Sequence, residues 1–185
     1  MVTASNLLPR FAPSTRRSMP LPTDAELNAI GVLKRRLIEA RVLAPMLDAM
    51  SARFGREAVQ EIARSVIIGL AEAQGAQLAN SVGGCSLAHF EGTLDRWKAD
   101  DALQITVQES TTERFAFDVT RCRYAEMYRE LGIPELGAIL SCNRDAALMD
   151  GFNPDVAFTR TQTIMGGATH CDFVYTLKRA PRASA

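Results

Sequence analysis

Hydrophobic positions recur along this chain with two different periods, and the change near residue 100 divides it. From Thr23 the spacing is helical. Leu27, Ile30, Leu33, Leu37 and Ile38 recur at intervals that keep one helical face apolar, and Lys34, Arg35 and Arg36 fall to the wet side. The stretch TDAE at 23–26 is a capping box: Thr23 can accept from a first-turn amide while Glu26 reaches back. Pro45 has no backbone donor and predicts a kink or a division of this helix, and Gly55 predicts its stop. A second helix is predicted over about 56–80, with Val59, Ile62, Ala63, Val66, Ile67 and Leu70 as a wide apolar face. Its Gly69 and Gly75 would let another helix approach closely. The stretch SVGGCS breaks the pattern, and 87–98 reads as a shorter helix or connector weakened at Gly92.

After ADDA the period drops to two. LQITVQES (103–110) and RFAFDVTRCRY (114–124) alternate apolar with polar residues and read as strands joined by TTE. Strict alternation puts Phe115, Phe117 and Val119 on one face, with Asp118, Thr120 and Cys122 on the other. AEMYRELG and IPELGAILSCNRDAALMDG return to helical texture, with Pro134 suited to a first helical position and Gly132 to the end before it. DVAFTRTQTIM and CDFVYTLK are the last two predicted strands, joined through GGATH, with Gly166 and Gly167 supplying the turn. The fold class is therefore α+β: a helical N-terminal half packed on a C-terminal antiparallel sheet of about four strands with short helices. Residues 1–22, with four prolines, three arginines and no acid, read as a flexible arm able to reach a neighbouring subunit. Residues 23–178 read as one domain, and 179–185 as a disordered tail.

Composition narrows the function. With 21 basic and 21 acidic residues the net charge is zero, so nothing electrostatic recommends a nucleic-acid partner or an acidic membrane surface. No apolar run approaches the ~20 residues that span a bilayer. The twin arginine of TRRSMPLP is not followed by a long apolar run, which argues against an export signal. Cys85, Cys122, Cys142 and Cys171 are widely spaced with no C-x-x-C pair, as expected of thiols in a reducing cytoplasm. The expected partners are a small-molecule substrate and, through the arm, further copies of the chain.

Several sites are excluded outright: there is no phosphate loop, no G-x-G-x-x-G after a strand, no G-x-S-x-G elbow, and only two histidines. Three segments remain. Cys122 stands at the end of a strand. In CNRD, Cys142 and Asp145 are spaced to share one helical face. In RTQTIMGGATHCDF, Arg160 sits in one strand, and His170, Cys171 and Asp172 open the next. Alternation puts His170 and Asp172 on one face and Cys171 on the other, which argues against a direct His170–Cys171 couple. Each residue also has an ordinary alternative. Strand cysteines are commonly buried small hydrophobes, as Cys85 is expected to be; Asp145 would be a solvated helix charge, Arg160 a cross-strand partner, and His170 a turn cap.

Across 117–173, the ordered set of a strand Cys, C-x-x-D, F-N-P, R-T-x-T-x-M-x-G and H-C-D-F resembles the L-2-amino-thiazoline-4-carboxylic acid hydrolase family. A weaker match runs back through LIEARVLAPMLDAM, and the arm lies outside it. The C-terminal part also resembles 4-vinyl reductase-like small-molecule-binding domains, which implies a non-catalytic pocket as the alternative. The hydrolase resemblance implies ring opening at an amidine carbon flanked by nitrogen and sulfur, giving a carbamoyl-cysteine. On that reading Cys142, Asp145, His170 and Cys171 are the catalytic candidates, and Arg160, Asp172 and Cys122 the substrate-binding ones. A thiolate would attack the amidine carbon, which requires a depressed thiol pKa. Arg160 would grip the substrate carboxylate, and Thr161 and Thr163 would face the other side. No cofactor is expected. A divalent metal such as zinc, held by Cys122, Cys142, His170 and Cys171, is the mechanistic rival.

Overall fold

The computed structural model describes residues 26–27 and 29–178. The arm, the Thr23 cap and the C-terminal tail lie outside the described residues. The first long helix, α1 (Val32–Phe54), begins after Gly31, whose φ of +91° is a conformation that L side chains rarely adopt. The helix predicted from Thr23 is thus interrupted there. It runs through Pro45 without dividing. Gly55, again at φ +91°, separates it from α2 (Arg56–Val82).

Two short helices, α3 (Leu87–Glu91) and α4 (Asp95–Lys98), come next, separated around Gly92 as the sequence suggested. The Ser86 hydroxyl caps α3 by accepting from the His89 amide at 3.3 Å. Then come β1 (Leu103–Ser110), β2 (Arg114–Cys122), α5 (Arg123–Glu130) and α6 (Pro134–Gly137). A π-helical turn at Ala138–Cys142 leads into α7 (Arg144–Phe152), β3 (Val156–Thr159) and β4 (Cys171–Leu177).

The four strands form one antiparallel sheet in the order β1-β2-β4-β3. The architecture is α+β, as expected. One sheet face carries Phe115, Phe117 and Val119 of β2 beside Tyr175, Phe173 and Cys171 of β4. Its rings pack in contact, Phe117 on Phe173 at 4.9 Å and Phe158 against Tyr175 at 5.0 Å. Phe90 of α3 and Phe152 of α7 close over this face, so it is the core side of the sheet.

A pair of glycines brings α2 and α7 together. A Cβ on Gly75 would lie 2.0 Å from the Leu148 carbonyl, and one on Gly151 would lie 1.9 Å from that of Glu72. Only hydrogen fits at either point, so the backbones touch and the second half of α7 is held directly against α2. Gly75 was legible as a close-approach residue; its partner was not.

The predicted apolar face of α2 is only partly right. Val59 and Ile67 are buried, whereas Ile62, Val66 and Leu70 are 60%, 56% and 50% exposed. Arg36, assigned to the wet side, is 7% exposed. It sits in helical register with buried Val32, Ala40 and Ala44. Among the described residues no helix is long and apolar enough to cross a membrane.

Candidate functional site

Between the core face of the sheet and helices α1, α2 and α7 lies a cavity of about 350 Å³. Its sheet side is apolar, with Ile105, Phe117 and Phe173 among its walls. The polar groups concentrate where α7 begins. The π turn matters here because its widened bond, from the Asn143 amide to the Ala138 carbonyl at 3.0 Å, directly precedes α7. Cys142 and Asp145 both line the cavity, as their spacing suggested.

Asp145 is paired with Arg160, whose Nη1 donates to Asp145 Oδ2. Arg160 Nη2 donates to the Cys142 carbonyl at 3.2 Å. The guanidinium also stands 5.1 Å from the ring centre of Phe173 and 5.6 Å from that of Phe158. The Arg160 side chain is 13% exposed and that of Asp145 34%, and what Asp145 exposes it turns to the cavity it lines. Burial pushes the Asp145 carboxyl above the usual aspartate range, and the Arg160 charge opposes that rise.

Arg160 is not in a strand. β3 stops at Thr159 because the carboxylate of Asp172 intercepts the amides that would have continued the ladder. Asp172 accepts from the Thr161 amide at 3.0 Å, the Thr161 hydroxyl at 2.6 Å and the Gln162 amide at 2.9 Å. Burial acts to raise the Asp172 carboxyl, but these donors outweigh it and hold the group below its ordinary value. Asp172 therefore anchors the 160–170 loop rather than facing the cavity.

The three inner thiols reach the cavity by different routes. Cys171 lines it from the sheet, and its sulfur accepts from the Ile164 amide at 3.2 Å. Cys122 lines it too, contrary to strict alternation. Ile105 pairs with Val119 and Gln104 with Arg121, so Thr120 is an extra, unpaired residue in β2. This bulge reverses the facing of the residues after it and turns Cys122 inward. Burial pushes the Cys142 thiol up to about 12 and Cys122 to about 11, and it raises Cys171 as well. The depressed thiol expected of a resting nucleophile is not found at any of them. Cys85, expected to be buried, is exposed.

His170 is brought together with none of these. It lies on the opposite sheet face with Asp172, where its Nε2 is 2.7 Å from Gln162 Nε2 and 4.0 Å from Asp118 Oδ1. Among the described residues no group of three or more His, Cys, Asp or Glu side chains is placed to hold a metal ion. Cys122, Cys142, His170 and Cys171 do not converge, because alternation separates His170 from Cys171.

Two buried arginines of the cavity wall were not legible in the sequence: Arg36 on α1 and Arg144 on α7, 7% and 8% exposed. The signal for Arg36 was a charge inside the Val32–Ala40–Ala44 register. Arg144 had none, since a polar residue inside CNRD carries no mark of burial.

The phenol-responsive sensory domain of the transcription activator PoxR, solved with phenol, is similar in structure, with a TM-score of 0.49 and 9% identity over 74% of this chain and 73% of that one. Subunit 3 of a trafficking protein particle complex from Naegleria fowleri, covalently bound to palmitic acid, gives 0.48 and 10% over 79% and 99%. No curated protein matches the chain. The model of the L-2-amino-thiazoline-4-carboxylic acid hydrolase family matches residues 35–175, spanning the helical layer, the sheet and the polar end of the cavity, and the chain belongs to that family.

Proposed function

We propose that the protein is a hydrolase that opens a small cyclic amidine of the 2-amino-thiazoline-4-carboxylate type at its ring C–N bond, giving a carbamoyl-cysteine. The observation that carries this is the Asp145 carboxylate, held by Arg160 at the cavity edge beside Cys142. Asp145 suits the amidinium of the substrate, and its carboxyl, raised by burial above the usual aspartate range, suits it to take and return a proton. Arg160 orients Asp145 rather than gripping the substrate, since its fork is already spent on Asp145 and the Cys142 carbonyl.

Cys142 is the nucleophile of this reading. Its thiol is protonated at rest, so attack is coupled to proton transfer to Asp145, and the bound amidinium cation favours the thiolate as it forms. The sulfur bonds to the amidine carbon. The ring C–N bond then breaks, with Asp145 returning the proton to the departing amine. Water, deprotonated by Asp145, attacks the same carbon. Collapse breaks the carbon–Cys142 bond and releases the carbamoyl product, with the thiol reprotonated. Cys171 and Cys122 line the apolar wall, while His170 and Asp172 act on the loop from outside. Four unpaired thiols support a reducing, cytoplasmic setting.

A non-catalytic small-molecule pocket is the second reading, favoured by the protonated thiols and the aromatic walls. Incubation of the full chain with 2-amino-thiazoline-4-carboxylate and related cyclic amidines separates the two, with carbamoyl product read by mass spectrometry. Turnover is expected in the wild type, reduced about 100-fold or more in Cys142→Ala and Asp145→Asn. Binding without turnover of any ring would leave the pocket reading; wild-type turnover in Cys142→Ala would remove the thiol from the reaction.

A further inference from the structure

The far side of the polar end holds two guanidiniums that the proposed chemistry does not use. Arg36 and Arg144 are both buried and both line the cavity. Arg144 spends Nε on the Leu140 carbonyl at 2.8 Å and Nη1 on Gln74 Oε1 at 3.2 Å. Its Nη2 reaches only to 3.9 Å from Glu39 Oε2. Arg36 donates to that same oxygen at 2.5 Å, and among the described residues its guanidinium makes no other hydrogen bond. Arg35 takes the remaining Glu39 oxygen at 3.1 Å. The Glu39 carboxylate is thus shared by both buried guanidiniums. Two buried cations sharing one carboxylate are costly, and an anion bound between them would offset that cost.

We infer that Arg36 and Arg144 form the anion subsite of the cavity, taking the carboxylate of a small ring whose cationic end faces Asp145. The inference rests on the hydrolase reading for the ring and on the arginine geometry for the carboxylate. The two guanidiniums offer free N–H groups to one anion, the arrangement that makes arginine selective for carboxylates. The site then selects a bipolar ligand: anion at α1 and the start of α7, cation one residue further along α7. The mutual repulsion that depresses Arg144 to about 10, after burial itself, is relieved when the anion arrives.

Calorimetric titration with 2-aminothiazole-4-carboxylate, an aromatic ring that resists opening, and with the same ring lacking the carboxylate tests this without turnover. The wild type is expected to prefer the carboxylate by about 10- to 100-fold, the range for hydrogen bonds to a charged group. Arg36→Gln is expected to erase most of that preference, and Arg160→Gln to leave it within about two-fold. Arg36→Lys keeps the charge without the fork and should retain a partial preference; it serves if the glutamine variant does not fold. No preference in the wild type, no binding of the carboxylate ring, or a preference that depends on Arg160 instead overturns the subsite. Preference without turnover in the separate activity assay would retire the hydrolase reading alone.

A second inference comes from the outer face of the helical layer. Ile38, Val42, Met46, Met50 and Phe54 succeed one another at four-residue intervals along α1 and are 58%, 57%, 53%, 37% and 63% exposed. Ile62, Val66 and Leu70 continue the apolar surface on α2, which packs beside α1. Helices of 23 and 27 residues side by side present a face on the order of 700 Å², close to the ~800 Å² per partner of a stable interface. The α1 stripe is symmetric about Met46, so a two-fold axis there lays Ile38 against Phe54 and Val42 against Met50 of a second copy. We propose that this face joins two copies of the chain. Light scattering of the full chain at increasing concentration should give twice 20.2 kDa, and Val42→Glu or Val66→Glu should return the monomer. A monomeric wild type, or a dimer indifferent to both substitutions, overturns it.

Discussion

Removing the Arg160 guanidinium should cost stability in a manner that reports on Asp145. The pair sits between two regimes. Fully exposed pairs are worth about 0.2–1 kcal/mol, while breaking a fully buried pair costs about 3–5 kcal/mol. With Arg160 13% and Asp145 34% exposed, the loss expected for Arg160→Gln is about 2 kcal/mol. A double-mutant cycle with Asp145→Asn should recover a coupling of about 1–2 kcal/mol, because the second substitution removes a charge already stranded. The pH dependence carries a sign. Asp145 in the folded protein holds its proton more tightly than at its ordinary value of 3.8. Its contribution is therefore fully present below that value and is lost as pH rises through the folded one. Arg160→Gln removes the cation that opposes the rise, so the loss extends to higher pH. Urea unfolding of the four proteins at several pH values measures both quantities. A coupling below about 0.5 kcal/mol, or a loss that shifts to lower pH, would refute the buried ion pair as described.

The remaining expectations use other parts of the fold. Gly75→Ala should destabilise by about 3 kcal/mol, because the α2–α7 contact has no room for a methyl group, and Gly151→Ala should match it in thermal or urea unfolding. Ellman titration of the native protein should label exposed Cys85 quickly; Cys142 and Cys122, pushed to about 12 and 11, should react only slowly at neutral pH. Asp172→Asn should weaken the anchor of the 160–170 loop, seen as faster hydrogen exchange at the Thr161 and Gln162 amides.

Much of this protein was legible from local pattern alone. The switch from helical to alternating spacing located β1 at 103–110 and the antiparallel sheet beyond it, and the three-residue spacing of Cys142 and Asp145 put them on one side, where both line the cavity. Alternation also separated His170 from Cys171. These features depend on backbone periods of 3.6 and 2, which a sequence carries within a few residues. What only the tertiary structure decided depends on partners distant in sequence. The Thr120 bulge, set by pairing with β1, turned Cys122 inward, and Asp172 ended β3 at Thr159 from across the loop. Arg36 was buried because the α1 face it shares with Ala40 and Ala44 packs toward α5 and the cavity, while Ile62, Val66 and Leu70 were left outside because α2 turns its other face to α7. An apolar residue carries no mark of which neighbour will cover it, so periodicity defined the faces of the helices, and packing chose which face became core.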